Sequence, residues 1–342
     1  MINIFSLIFS FIFPLFLTIS FTPIVFRIGK NLKIMDYPYE ERKIHKHPVP
    51  RTGGIAVALS VFITFLFLLK ENFVYYILLF SLFFLIFGFI DDAGLRLRNI
   101  YKWIIAFFIV LTFFMLTPLR VKELGDLLGF GNIKMNFITS LIFSLFAITS
   151  VINSFNLIDG MDGLLASVSF ISSLAFAFLN YKNSDFYLSF LWIGLAGASL
   201  GFLFYNFHPA KIFLGDAGSL FIGSFITFLS VLSAKGNFGN IKPIQCVLIL
   251  SLPISDMIWV VLRRIFYKKS IFDPDLLHLH YRILKKINSQ RKTLFILSIL
   301  SIIFSLEAII FEKMPDYILF IIFWINFLIV GFMDRIFKQN KN

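Results

Sequence analysis

The sequence predicts an all-α integral membrane protein: a single polytopic bundle of about eleven transmembrane helices over residues 1–342. Three observations point there. Hydrophobic residues fill 58% of the chain, with Phe alone at 48 positions. Charged residues reach only 15%, where soluble domains carry roughly 25%. The apolar residues also fall into runs that approach the ~20 residues a helix needs to cross hydrocarbon. A soluble globular domain, a disordered chain, a collagen-like fibre and a disulfide scaffold are all excluded. In a soluble protein the net charge of +12 would suggest a nucleic-acid partner. Among so many apolar residues it sets membrane topology, and no nucleic acid is expected. The single cysteine, Cys246, lies in an apolar stretch and leaves no cysteine-based zinc site.

The expected spans run near 3–27, 53–70, 73–90, 101–118, 137–153, 163–181, 186–206, 217–234, 243–262, 293–311 and 316–334. The first lacks a basic leading region and a small-residue cleavage site, so it reads as a retained helix and not as a signal peptide. Pro14, Pro23 and Pro253 fall inside spans, where neighbouring helices can satisfy the backbone groups they free. Gly197 and Gly201 form a small-xxx-small pair that suits close helix packing. Joining these spans, the segments 28–52, 91–102, 154–162, 207–216 and 263–292, with Arg27 and the C-terminal tail, carry 23 Lys and Arg residues. The opposite connections carry 8. That asymmetry makes the first set cytoplasmic, with the N-terminus outside and the C-terminus inside. No internal repeat is visible, which argues against a transporter built from inverted repeats.

Acidic residues gather where apolar runs meet the cytoplasmic segments, and a carboxylate near hydrocarbon is by default a functional feature. Asp91 and Asp92 end the third span. Two adjacent carboxylates can raise one another's pKa and yield a base; a helix-end pair neutralised by Arg96, Arg98 or Lys102 is the plain alternative. Next, N-S-F-N-L-I-D-G-M-D-G-L sets Asn156, Asp159 and Asp162 around a glycine turn with no basic residue. Helix capping accounts for one of those acids. In H-P-A-K-I-F-L-G-D-A-G-S-L, Asp216 stands before a span, with Lys211 as a point charge and Phe213 as an aromatic face. Backbone amides at that helix start favour an anion, and an Asp N-cap is the alternative. The basic loop holds F-D-P-D-L-L-H-L-H-Y-R, with His278, His280 and Arg282. The first loop carries His45 and Arg51 in R-K-I-H-K-H-P-V-P-R-T-G-G, which positive-inside signalling alone would also explain. Carboxylates for a hard divalent cation, ringed by cations for phosphates, suit phosphoryl-type transfer.

Five of these pieces, in order from residue 48 to 282, resemble the polyprenyl-phosphate N-acetylhexosamine-1-phosphate transferases, the superfamily that includes the phospho-MurNAc-pentapeptide transferases. They are P-V-P-R-T-G-G, D-D-A-G-L, N-S-F-N-L-I-D-G-M-D-G-L, H-P-A-K-I-F-L-G-D-A-G-S-L and P-D-L-L-H-L-H-Y-R. P-R-T-G-G and H-L-H look more like the branch that handles UDP-N-acetylhexosamines. The resemblance implies a bacterial inner-membrane enzyme whose cytoplasmic site joins a UDP-N-acetylhexosamine, GlcNAc by default, to undecaprenyl phosphate. UMP is released, Mg²⁺ is the cofactor with Mn²⁺ as a substitute, and the product starts a cell-surface glycan. In that scheme Asp91 and Asp92 lie at the lipid phosphate, one acting as base, and Asp216 with Asn156 holds the metal. Asp159, Asp162, Phe213 and Lys211 belong to the nucleotide and sugar, and His278, His280 and Arg282 grip the diphosphate. A third histidine common in this branch is Tyr281 here. Lipid-facing apolar spans are suited to a homodimer. The peptidoglycan branch, a CDP-alcohol phosphotransferase and a secondary transporter are the rival readings. A transporter's acids belong near mid-span, where only Asp256 and Glu307 fall.

Overall fold

A computed structural model describes residues 4–38, 47–68, 72–95, 97–271 and 276–337. Its helices are α1 (Ile4–Asn31), α2 (Gly53–Leu68), α3 (Asn72–Ile90), α4 (Asn99–Leu116), α5 (Phe137–Ile158), α6 (Leu164–Lys182) and α7 (Phe186–Asn206). After these come α8 (Gly215–Ser233), α9 (Pro243–Ile249), α10 (Ser251–Phe266), α11 (Leu279–Ile287), α12 (Gln290–Ile310) and α13 (Asp316–Ile336). Two short antiparallel strands, β1 (Met35–Asp36) and β2 (Val49–Pro50), pair Met35 with Pro50. Within the described residues, each expected apolar run is helical over most of its length. Among the described residues, nine helices are long and apolar enough to cross a membrane, or ten if the bent pair α9–α10 is one span. The protein is thus an all-α, multi-pass membrane protein.

Prolines divide the helices according to what neighbours can supply. Pro23 leaves the carbonyl of Ile19 without its helical donor, and the Tyr205 hydroxyl of α7 donates to that oxygen at 3.2 Å. The α1 helix runs on through Pro23, as it does through Pro14. Pro253 likewise cannot donate to Ile249, where α9 ends, and the chain turns by 80° into α10. The continuous ninth span expected over 243–262 is in fact two helices, and the missing amide is the physical reason. A further helix, α11, forms within the basic loop, where none was expected. Close packing at Gly197 and Gly201 is borne out: side chains there would run into the α1 backbone at Phe11 and Leu15.

At the centre of the bundle lies α8, buried along nearly its whole length. Its hydroxyls turn back onto its own backbone, Thr227 donating to Gly223 and Ser230 to Thr227, so they need no partner in the apolar interior. Around it stand α2, α3 and α5. Phe225 stacks on Phe65 with ring centres 5.3 Å apart, and Phe228 on Phe113 at 4.1 Å. On one side α2 touches α8 backbone to backbone, since a Cβ on Gly54 would overlap Gly218. The start of α8 is thereby fixed against the ends of α2 and α3.

Candidate active site

The start of α8 gathers charge from four parts of the chain. The segment 50–54 hydrogen-bonds along 213–214: Phe213 N–H donates to Pro50 O at 2.9 Å, Gly53 N–H to Phe213 O at 2.9 Å and Gly54 N–H to Leu214 O at 3.0 Å. This seam carries Arg51 to the first turn of α8. There its guanidinium meets Asp92 at 3.1 Å through Nε and Asp216 at 3.1 Å through Nη2. Asp91 and Asp92 open a kinked turn, Asp91–Leu95, at the end of α3, with Gly94 at φ 129°. Asp92 is fully buried and accepts from the Ala217 amide at 3.0 Å. No side chain of its own caps α8; Asp92 supplies that capping from a distant segment, where the helix dipole also favours its charge. Gly215, at φ 72°, is the residue between them, and a Cβ there would strike Asp92 and the Arg51 carbonyl. Lys102, in the first turn of α4, pairs with Asp91 at 2.6 Å and also with Asp216.

Three carboxylates thus share two cations. Burial works against the charge of Arg51, but Asp92 and Asp216 outweigh it and hold its pKa above the ordinary arginine value. Asp159, just past α5, feels the same cluster: burial first, then the Asp216 charge, hold its pKa well above the carboxylate norm. Asn156 in the last turn of α5 donates to Ser219 of α8 at 2.8 Å. Asp91, Asp92 and Asp216 meet around the start of α8, Asp159 feels their charge, and Asn156 approaches the same helix.

Other expected site residues have different neighbours. Asp162 accepts from the Ala210 amide at 3.1 Å and meets His208 Nδ1 at 2.7 Å, which braces the α5–α6 turn against the segment before α8. Lys211 lines a cavity of about 400 Å³ together with Lys30, His47, Phe26 and Tyr205. Phe213 holds the seam through its backbone. Arg282 pairs with Asp334 of α13 at 2.8 Å, as Arg263 does at 3.0 Å. His278 meets Asp256 of α10 at 2.8 Å. His280 is buried, and among the described residues neither of its ring nitrogens is hydrogen-bonded. Its Nε2 lies against Gly160, where a Cβ would also meet the Tyr281 hydroxyl at 2.7 Å. Burial, reinforced by neighbouring His278, lowers the His280 pKa to about 3. His45 lies outside the described residues.

Sequence reading offered Lys102 as a counter-charge to Asp91 and Asp92, which it is for Asp91, but missed its tie to Asp216 and missed Asp256 as the partner of His278. Both left a signal: a charge inside or at the edge of an apolar run demands a partner. Among the described residues, no three His, Cys, Asp or Glu side chains form a ready ligand group for a metal. The donor chemistry nonetheless fits a hard divalent cation, because the carboxylates outnumber the cations they face.

Fold and site together define a polytopic α-helical membrane protein with a carboxylate–cation cluster at one end of its bundle. Residues 73–234 match the family described as glycosyl transferase family 4. The chain is 31% identical over 320 residues to a probable undecaprenyl-phosphate N-acetylglucosaminyl 1-phosphate transferase of Bacillus subtilis (strain 168), covering 92% of this chain and 87% of that one. It is 30% identical over 308 residues to a decaprenyl-phosphate N-acetylglucosaminephosphotransferase of Mycobacterium leprae, covering 81% and 76%. A third relative, the undecaprenyl-phosphate alpha-N-acetylglucosaminyl 1-phosphate transferase of Yersinia pestis, is 25% identical over 339 residues, covering 96% and 90%. The chain belongs to glycosyl transferase family 4.

Proposed function

We propose that this protein transfers N-acetylglucosamine-1-phosphate from UDP-N-acetylglucosamine to undecaprenyl phosphate, releasing UMP and starting a surface glycan on a lipid carrier. The names of its relatives supply the reaction class. The observation that carries it to this chain is the meeting of Arg51, Asp91, Asp92, Lys102 and Asp216 at the start of α8. Arg51 and Lys102 bind the lipid phosphate and offset its charge; Arg51 presents a planar fork that suits phosphate oxygens. Asp91 or Asp92 takes the remaining proton of that phosphate. Its oxygen then attacks the sugar-bearing phosphorus of the donor, and the bond to UMP breaks with the electron pair leaving on UMP. His278 and His280 hold the donor's diphosphate and sugar beside the Asp159–Asp162 turn. Phe213 and Lys211 serve the nucleotide. Asp216 and Asn156 would hold Mg²⁺, which when bound would neutralise charge on the transferred phosphoryl group.

The whole chain forms one transferase domain in the inner membrane, its site facing the cytoplasm. The 23 basic residues on the site's side against 8 opposite support that orientation. Eleven crossings follow when the bent α9–α10 pair and the short α2 each count as one.

The test is direct. Purified protein given Mg²⁺, undecaprenyl phosphate and radiolabelled UDP-GlcNAc is expected to form a chloroform-soluble sugar lipid and UMP, with activity lost to chelator and restored by Mg²⁺. Release of UDP in place of UMP overturns the reaction class.

A further inference from the structure

One buried acid takes no part in the cluster at α8. Asp256 stands on α10, within two turns of the bend, and is 5% exposed. A lone carboxylate in such a place is costly unless both oxygens are satisfied. Here they are, and by adjoining residues: Oδ2 meets His278 Nδ1 at 2.8 Å, and Oδ1 accepts from the Leu279 amide at 2.8 Å. His278 precedes the first residue of α11 and has no capping side chain of its own. A single carboxylate therefore fixes the imidazole and the start of the helix that carries it. A carboxylate only accepts hydrogen bonds, so Nδ1 must carry a proton. The ring is then locked in one orientation with Nε2 as its remaining polar atom. His278 in turn lies nearly parallel to His280, ring centres 5.8 Å apart, and His280 reaches the Gly160 turn.

We propose that Asp256 is a positioning residue: it holds His278 in the tautomer and orientation that present Nε2 to the diphosphate of the sugar donor. The inference rests on the transferase reading above. It gives the bend in the ninth apolar run a task, since the turn at Leu250 is what brings α10 beneath the start of α11. Around metal-binding histidines, carboxylate partners of this kind orient the ring and their loss costs roughly 10–100-fold in affinity or activity, and a comparable loss is expected for a histidine that holds a diphosphate.

The experiment is a double-variant comparison in the radiolabel assay. Asp256→Asn keeps an oxygen for the Leu279 amide but turns an NH₂ toward Nδ1, which must then accept and move the ring proton to Nε2. Turnover is expected to fall roughly 10–100-fold with unchanged elution from a sizing column. Paired with His278→Asn, it is expected to add nothing, because its effect runs through the ring. An Asp256→Asn enzyme at full activity, or one whose loss multiplies with that of His278→Asn, overturns the proposal. If Asp256→Asn does not fold, Asp256→Glu keeps the acceptor one methylene out of place. It is expected to lose several-fold in activity only where His278 is present, and an equal loss without His278 overturns the proposal. A wild-type protein that releases no UMP sinks the transferase reading itself, a result separate from any of these.

Discussion

Asp216 sits between two cations, one oxygen toward Arg51 and the other toward Lys102, while Asp92 spends an oxygen on capping the same helix. Replacing Asp216 by Asn keeps the shape and removes one of three shared charges. Activity is expected to drop roughly 10²–10³-fold, because the cation Asp216 would hold is what stabilises transition-state charge, with the protein still monodisperse; full activity would remove Asp216 from the chemistry. Arg51→Lys tests the fork: a lysine cannot reach Asp92 and Asp216 through separate nitrogens, so a loss of roughly tenfold or more is expected. His280 gives a pH signature. Its pKa is lowered to about 3 in the folded protein against 6.5 ordinarily. Between those values the unfolded chain binds the proton and the folded chain does not, so stability is full above 6.5 and is lost as pH falls toward 3. One proton gives a slope of up to about 1.4 kcal/mol per pH unit. Thermal melts from pH 7 to 4.5 should show that decline, and His280→Asn should flatten it.

At the scale of helices, the site depends on how closely α2 and α3 approach α8. A methyl at Gly54 would overlap the backbone of Gly218. Gly54→Ala is therefore expected to cost about 1–3 kcal/mol of stability and to lower activity, because the displaced seam is what carries Arg51; an unchanged melting temperature would show that α2 can yield. Much of this level was legible beforehand. Apolar runs gave the helices, since burial in lipid demands that every backbone group be satisfied within the segment, and the acids that broke those runs gave the cluster. Pairings were not legible. Nothing local says that Asp92 caps α8, or that Arg282 faces Asp334, because such contacts are fixed only when distant helices dock. The break at Pro253 and the continuity at Pro23 have the same chemistry in sequence; the Tyr205 hydroxyl that meets the freed Ile19 carbonyl comes from another helix and is not legible locally.

For the molecule as a whole, the contacts constrain topology. Arg51 before α2, Asp92 after α3, Lys102 at the start of α4 and Asp216 at the start of α8 all touch one another's partners. The start of α2 and the end of α3 therefore lie at the same end of the bundle, so α2 leads away from it and α3 returns. Sixteen residues make α2 about 24 Å long, short of the ~30 Å hydrocarbon core. α2 tolerates that mismatch because α1, α7 and α8 cover most of its surface, leaving Leu59, Leu66 and Phe67 outward. If basic residues orient the bundle, the end bearing α11 faces the cytoplasm and the segment between α4 and α5 faces outward. Replacing Cys246, the single cysteine, gives a background for labelling. Asn132→Cys, exposed between α4 and α5, and Lys285→Cys, exposed on α11, then report opposite sides. A membrane-impermeant maleimide applied to intact spheroplasts is expected to modify Asn132→Cys at once and Lys285→Cys only after permeabilisation. The reverse order would place the carboxylate cluster on the outer face, away from any cytoplasmic nucleotide sugar. Labelling of both in sealed spheroplasts would mean an even number of crossings between them, with the bent α9–α10 pair as the span to re-examine.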